Sequence, residues 1–473
     1  MSLAANKPRV GRNLTEGNIL KTLLMFALPI VLTNIIQQLY STVDLIVIGK
    51  FELTRGTVSV STGSEVPDMI GQIAVALGNA GQIYIAQLAG AGNRKSIKES
   101  TGTLLSMLLI FGFACMAGML IFNRQILTLL NCPAESFEGA YQYMLITAFG
   151  MPFIAGYNAI CGMLRGIGES KRPLIFITIA AIVNIVLDVV LVAIFHLGVL
   201  GTAIATVAAQ IGSFAAAFVF MYSHRDALGF EMKLSYFKMK WKHFKIIFAL
   251  GVPKMVQMGC INITKMWISS NINLYGGVVS ATNGIGNKIN NFLNVFMIGI
   301  DTGSGAMIAQ NLGAQKQDRA RKTVFTALGC SCVLATIFSL FALLIPRQLY
   351  GLFNTDPAVL DLGVTYMRIM VITFYLSAIL GAFQSMVTGS GFASLSFALG
   401  ILDSLIMRIG LSILFSRVMG MGAVGFFLGN ALSRLGPAII CIGYFFSGKW
   451  KTRKLLGESS KRKTTTEGGA ANE

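Results

Sequence analysis

Between Pro173 and Phe195, one amide and one carboxylate, Asn184 and Asp188, interrupt an otherwise apolar run. The run is long enough to cross a bilayer as a helix. Four residues apart, the two polar groups share one helical face. Asp188 then lies well inside the hydrocarbon layer. A charged carboxylate there costs roughly 2.5 kcal/mol or more unless it finds a partner, water or a proton. A helix needing only greasiness has no use for that acid. The stretch therefore reads as an ion-binding element of a membrane transporter.

The rest of the chain agrees with a membrane setting. Of 473 residues, 54% are hydrophobic and 12% charged, against about 25% charged in an ordinary soluble domain. The net charge of +18 is not read as a nucleic-acid signal. The bases cluster in short segments between apolar spans, where they set orientation and meet lipid headgroups. The seven cysteines, Cys115, Cys132, Cys161, Cys260, Cys330, Cys332 and Cys441, mostly lie in apolar stretches without a zinc-type CxxC pair and read as small core residues. The first twelve residues carry no cleavable signal pattern, so the first span doubles as the insertion signal.

The pattern predicts an all-α polytopic membrane protein with twelve spans. They fall near 21–48, 67–90, 100–122, 137–160, 173–195, 198–222, 246–270, 279–311, 323–345, 359–386, 393–415 and 422–446. Of 38 Lys and Arg, 27 lie between spans or at the termini on one side and 5 on the other. The positive-inside rule puts both termini in the cytoplasm. The expected organisation is a cytoplasmic N-terminal segment (1–20), an N-lobe (21–222), a basic cytoplasmic linker (223–245), a C-lobe (246–446) and a basic, disordered tail (447–473). The lobes come from an internal repeat. Ile85-Ala-Gln-Leu-Ala-Gly-Ala91 returns as Ile308-Ala-Gln-Asn-Leu-Gly-Ala314, Tyr143-Met as Tyr366-Met, Pro29 as Pro253, and Gly198-Val-Leu-Gly201 as Gly422-Ala-Val-Gly425. Six spans per repeat make the two copies cross in the same direction, with a central cleft between pseudo-symmetric six-helix lobes.

Further polar groups fall on shared faces. In the first span Gln37, Tyr40 and Asp44 line one side, which must point at protein or water; alternatively Asp44 caps a helix end near the surface. Thr202 and Thr206 share a face of the sixth span, unless their hydroxyls merely back-bond to carbonyls. Asn158 is a further polar group in the fourth span. The second copy differs at matching places: Arg408 stands for Asn184, Ser412 for Asp188, Ile268 for Asp44 and Asn430 for Thr206. It carries Lys254, Lys265, Lys288, Asp301, Asp403 and Arg408 within spans instead, which are expected to pair among themselves. The carboxylate pair belongs to the first copy alone.

On Val43-Asp44 with Gly49, Arg165-Gly-Ile-Gly-Glu-Ser-Lys-Arg-Pro173, Asn184-Ile-Val-Leu-Asp188, Gly198-Val-Leu-Gly-Thr-Ala-Ile-Ala-Thr206, Gln310-Asn-Leu-Gly-Ala314 and Arg319-Ala-Arg321, the sequence resembles the multidrug and toxic compound extrusion (MATE) family over 13–446. The resemblance implies two six-helix bundles around a central cavity, and export of amphipathic, often cationic drugs coupled to inward H+ or Na+. It implies a cation or proton site at Asp44, Asn184, Asp188 and Thr206, with Gln37, Tyr40, Asn158 and Thr202 lining the substrate cavity. Na+ would bind at those same four coupling residues, whose oxygens suit it; the carboxylates, once desolvated, equally suit a proton. No cofactor and no nucleic-acid partner are expected. The expected partners are small amphipathic or cationic molecules and membrane lipids, and the expected state is a monomer in the plasma (inner) membrane. A flippase of a lipid-linked precursor on a related two-lobe architecture is the alternative, kept open by Lys254, Lys265, Lys288 and Arg408. An enzyme is not supported: His196, His224 and His243 sit at span ends or in loops, without an HExxH helix or a nucleophile–base set.

Overall fold

The computed structural model describes residues 11–225, 238–453 and 455–456. The linker expected at 223–245 and the tail expected at 447–473 fall largely outside the described residues, as does the start of the N-terminal segment. Among the described residues there is no strand. Long apolar segments in lipid must satisfy their backbone groups internally, and the helix does so within one segment.

In chain order the helices are α1 (Ile19–Gly90), α2 (Arg94–Leu129), α3 (Ala134–Ala148), α4 (Met151–Gly166), α5 (Lys171–Ile194), α6 (Gly198–Ser223), α7 (Trp241–Asn273), α8 (Gly277–Gly313), α9 (Gln317–Leu344), α10 (Pro346–Gly351), α11 (Pro357–Gly389), α12 (Ala393–Val418) and α13 (Gly422–Phe446). Eleven described segments are long and apolar enough to cross a membrane, and twelve when α3 and α4, bent by 48° at their junction, count as one span. The architecture is the expected one of two six-span lobes.

One expectation is corrected. The first two spans were expected to be separated by a connection at 49–66. Helical backbone instead continues through that region, and two spans, Ile19–Glu52 and Arg55–Gly90, meet within α1. The chain reverses there. A Cβ added to Gly49 would sit 3.2 Å from Thr57 Oγ1, whereas eight residues span about 12 Å along a straight helix. Ser59, in the expected connection, is buried and donates its hydroxyl hydrogen bond to the Ser136 carbonyl at 3.0 Å.

The repeat is visible in backbone detail as well as in sequence. α5 ends in a π-helical turn, Val189–Ile194, and α12 ends in another, Leu414–Val418. His196 and Gly198 take positive φ after the first turn, and Gly420 and Gly422 do so 224 positions later. Such turns open the regular hydrogen-bond ladder and recur at functional sites.

The lobes meet at the end of the bundle where residues 11–18 and 455–456 lie, through a reciprocal arrangement. Gln87 Nε2 donates to the Gly389 carbonyl at 2.7 Å, and Gln310 Nε2 donates to the Gly166 carbonyl at 2.8 Å. Both donors and both acceptors are 223 residues apart. Gly90 and Gly313 permit the approach: an added Cβ would lie 1.9 Å from the Gln310 oxygen and 2.1 Å from the Gln87 oxygen, respectively. Residues before α1 strap across the same seam. Arg12 N donates to the Gly168 carbonyl, Leu14 N to Gln310 Oε1, and Arg319 to the carbonyls of Glu16 and Gly17. Among the described residues, the hydrogen bonds that join the lobes gather at this end.

Candidate functional site

The site is built in the first lobe, from α1, α5 and α6. The helix runs through Asp44 to Glu52, so Asp44 is not a cap. Tyr40 stands one turn before it and Gln37 two turns before it on the same face. On α5, Asn184 and Asp188 are both fully buried, and the π-helical turn begins directly after Asp188. Small residues let α6 come close: an added Cβ at Gly201 would meet Leu191 at 3.1 Å. Glu52 fixes the start of α6 by accepting from Val199 N at 3.2 Å, an acid at a helix N-terminus, where its charge is favoured.

These helices bring together the four residues expected to form a cation site. The carboxyl of Asp44 adjoins the side chains of Asp188, Asn184 and Thr206. The cluster is largely buried and short of internal partners. Asp44 Oδ1, both carboxyl oxygens of Asp188 and both amide atoms of Asn184 are buried without a protein hydrogen bond. Thr206 donates its hydroxyl proton to the Thr202 carbonyl at 2.9 Å, so its oxygen keeps only lone pairs for the cluster. Thr202 is fully buried with its own hydroxyl unpaired. Two other groups were not singled out from sequence. The Tyr143 side chain adjoins Thr206, and Asp68 lies within electrostatic reach of Asp44 and Tyr143. Asp68 had a legible signal, an acid in an apolar stretch one residue after Pro67. Tyr143 had none beyond its recurrence as Tyr366.

The second lobe carries a different chemistry at the matching helices. Arg408 donates to Asp403 at 3.2 Å and to Asn430 Oδ1 at 3.1 Å, and both members of the ion pair are buried. The guanidinium thus occupies the place of Asn184. Of the other charges expected to pair, Lys254 bonds to Gln257 Oε1 at 3.0 Å rather than to an acid, and Lys288 is exposed.

A cavity of about 160 Å³ lies between the lobes. Asn79 and Gln82 border it from the first lobe, and Lys254, Gln257, Asp301 and Gln384 from the second. Arg165 holds the first-lobe side, donating to Gln82 Oε1 at 2.8 Å and to Asn79 Oδ1 at 3.2 Å. Gln37, Tyr40, Asn158 and Thr202 are not among its lining residues. Asn158 is buried on α4, its amide donating to the Ile154 carbonyl at 2.8 Å. Among the described residues no three His, Cys, Asp or Glu side chains cluster as a metal centre.

Comparisons with known proteins converge. The family model described as MatE matches residues 29–190 and again 253–414, two stretches displaced by 224. The probable multidrug resistance protein YpnP of Bacillus subtilis (strain 168) is 26% identical over 445 residues, covering 94% of this chain and 98% of the relative. The multidrug export protein MepA of Staphylococcus haemolyticus (strain JCSC1435) is 23% identical over 377 residues, covering 80% of this chain and 82% of the relative. A solved outward-facing conformation of a multidrug resistance MATE family transporter of the MOP superfamily superposes with a TM-score of 0.86 at 20% identity, over 93% of this chain and 98% of that one.

Proposed function

The chain belongs to the MatE family of membrane transporters, and from that premise we propose that it is a secondary active antiporter. It exports amphipathic or cationic compounds from the cytoplasm, driven by inward H+ or Na+ through Asp44, Asn184, Asp188 and Thr206. One observation supports the reading: two adjoining carboxylates share a buried pocket with the unpartnered Asn184 amide and with the Thr206 oxygen, whose lone pairs remain free. Two neighbouring carboxylates cannot both stay charged and dry. A shared proton or a bound cation relieves them, and the donor set fits either. Binding the ion removes the repulsion between α1 and α5 and lets these helices repack. Only an ion with different affinity for the two arrangements shifts their balance. The multidrug names of the relatives support the substrate class. In the proposed cycle, an arrangement joined at this seam would serve as the outward-facing state if the seam lies on the cytoplasmic side.

The coupling site is tested by ion or pH titration of the purified protein, followed by tryptophan fluorescence. Asn184→Ala and Thr206→Val each remove one oxygen and are expected to weaken ion affinity by about 1–3 kcal/mol. Arg408→Gln is expected to keep the ion response, because an always-charged guanidinium cannot host a cation. Loss of the response in Arg408→Gln, with the other two unchanged, would move the site to the wrong lobe for this proposal.

The orientation is tested separately. In a cysteine-free background, a single cysteine at Glu135, exposed just after the second helix, is expected to react with an impermeant maleimide added outside intact cells. A cysteine at Asn93, exposed at the opposite end, is expected to react only after the membrane is opened. The reverse pattern would invert the topology and with it the direction of transport.

A further inference from the structure

The cavity between the lobes contains a feature that the first-lobe site leaves unused. Lys254 on α7 and Asp301 on α8 both line it and carry opposite charges. They do not pair: among the described residues neither belongs to an ion pair within 4.0 Å. The ammonium of Lys254 gives one hydrogen bond, to Gln257 Oε1 at 3.0 Å, and Gln257 lines the same cavity. Two of its three donors remain. Among the described residues no donor is bonded to the carboxylate of Asp301. Its fit is made by Gly381, where an added Cβ would lie 2.2 Å from Asp301 Oδ1. Arg434 is within electrostatic reach of Asp301 but is not ion-paired with it.

Lys254 and Asp301 are both half-buried at the cavity wall, and two half-buried charges of opposite sign that do not close on each other forgo a favourable contact. The same lobe contains Arg408–Asp403, so a closed pair is within reach of this fold. The open pair makes chemical sense when a third body sits between the charges. The size sets a limit: a cavity near 150 Å³ holds a single benzene ring.

We propose that Lys254 and Asp301 form a subsite for the amphoteric part of a substrate, a ring-sized group bearing both a carboxylate and an ammonium. The carboxylate sits on Lys254 with Gln257 beside it, and the ammonium sits on Asp301. Thr302, Gln384 and Ser385 supply neutral polar lining. This narrows the substrate class and rests on the transporter reading, though the subsite is independent of how transport is coupled to an ion.

The test is equilibrium binding to the purified full chain in lipid nanodiscs, by calorimetry. The probes are para-(aminomethyl)benzoate and its two single-charge analogues, benzylamine and benzoate. The zwitterion is expected to bind roughly tenfold tighter than either analogue, the margin of one charge-assisted hydrogen bond. Lys254→Gln should bring it down to the level of benzylamine, and Asp301→Asn to the level of benzoate. Lys254→Arg should restore the preference, which separates charge from folding. Equal binding of the three probes by the unmodified chain would overturn the proposal. So would a Lys254→Gln protein that keeps the full preference. An Asp188→Asn protein should retain the preference while losing coupled export. If it instead keeps coupled export, the coupling assignment fails and this subsite stands on its own binding data.

Discussion

An Asp188→Asn protein is expected to insert, fold and bind substrate, yet to leave uphill export at the level of empty vesicles. Asn has nearly the shape of Asp, so the packing of α5 against α1 and α6 is kept. What disappears is a charge that can be taken up and given back. Asp188 is fully buried and neither carboxyl oxygen has a protein partner, so its charge is costly. With a permanent amide, Asp44 is left as the only acid among the four coupling residues, and its repulsion with α5 is gone in every state. The helices then rest where ion binding would have put them, and the gradient has nothing to push against. The measurement is efflux of a lipophilic dye cation from proteoliposomes under an imposed proton or sodium gradient, beside dye binding to the same protein in detergent. Undiminished uphill efflux would take Asp188 out of the coupling step.

How much of this was legible in the sequence depends on the length scale of the signal. Apolar runs and basic segments act over tens of residues, and they specified the twelve spans and the repeat. Asn184 and Asp188 were legible because a carboxylate deep in an apolar helix has few innocent explanations. A reversal between the first two spans was legible, but its tightness near residue 53 was not. Polar residues between Glu52 and Ser64 read as a loop, yet they form the first turns of a helix whose buried hydroxyls bond to α3. That second-lobe charges pair was legible, but which of them do was not. Arg408 and Asp403 lie five residues apart and meet across a helix whose turns are π-helical from Leu402 to Met407. A regular helix brings i and i+4 together rather than i and i+5. Lys254 and Asp301 belonged to the set of charges expected to pair, yet they line one cavity without forming an ion pair within 4.0 Å.

The recurring Ile-Ala-Gln motif was legible as a repeat but not as a joint, and its role leads to the second large effect. Gln87 and Gln310 each reach across the seam to a glycine carbonyl, and Gly90 and Gly313 sit under the opposite glutamine's backbone. Gly90→Val or Gly313→Val puts a branched side chain where even a Cβ would lie about 2 Å from a carbonyl oxygen. Backbone on both sides of the seam leaves little room to yield. The lobes cannot then close at this seam, and the balance moves to an arrangement open there. Both variants are expected to insert normally and to lose export. Leu14 reports the change. It is fully buried, its N–H bonds to Gln310 Oε1 and its carbonyl accepts from Asn311. A cysteine at Leu14 in a cysteine-free background should be silent toward a thiol reagent, and should become reactive when Gly90→Val is added. Gly118→Val is the control, since open space surrounds that position, and it should leave both export and labelling unchanged. A Gly90→Val protein that exports at the normal rate with Leu14→Cys still protected would show that the lobes part and close without this approach of helix α1 to helix α8.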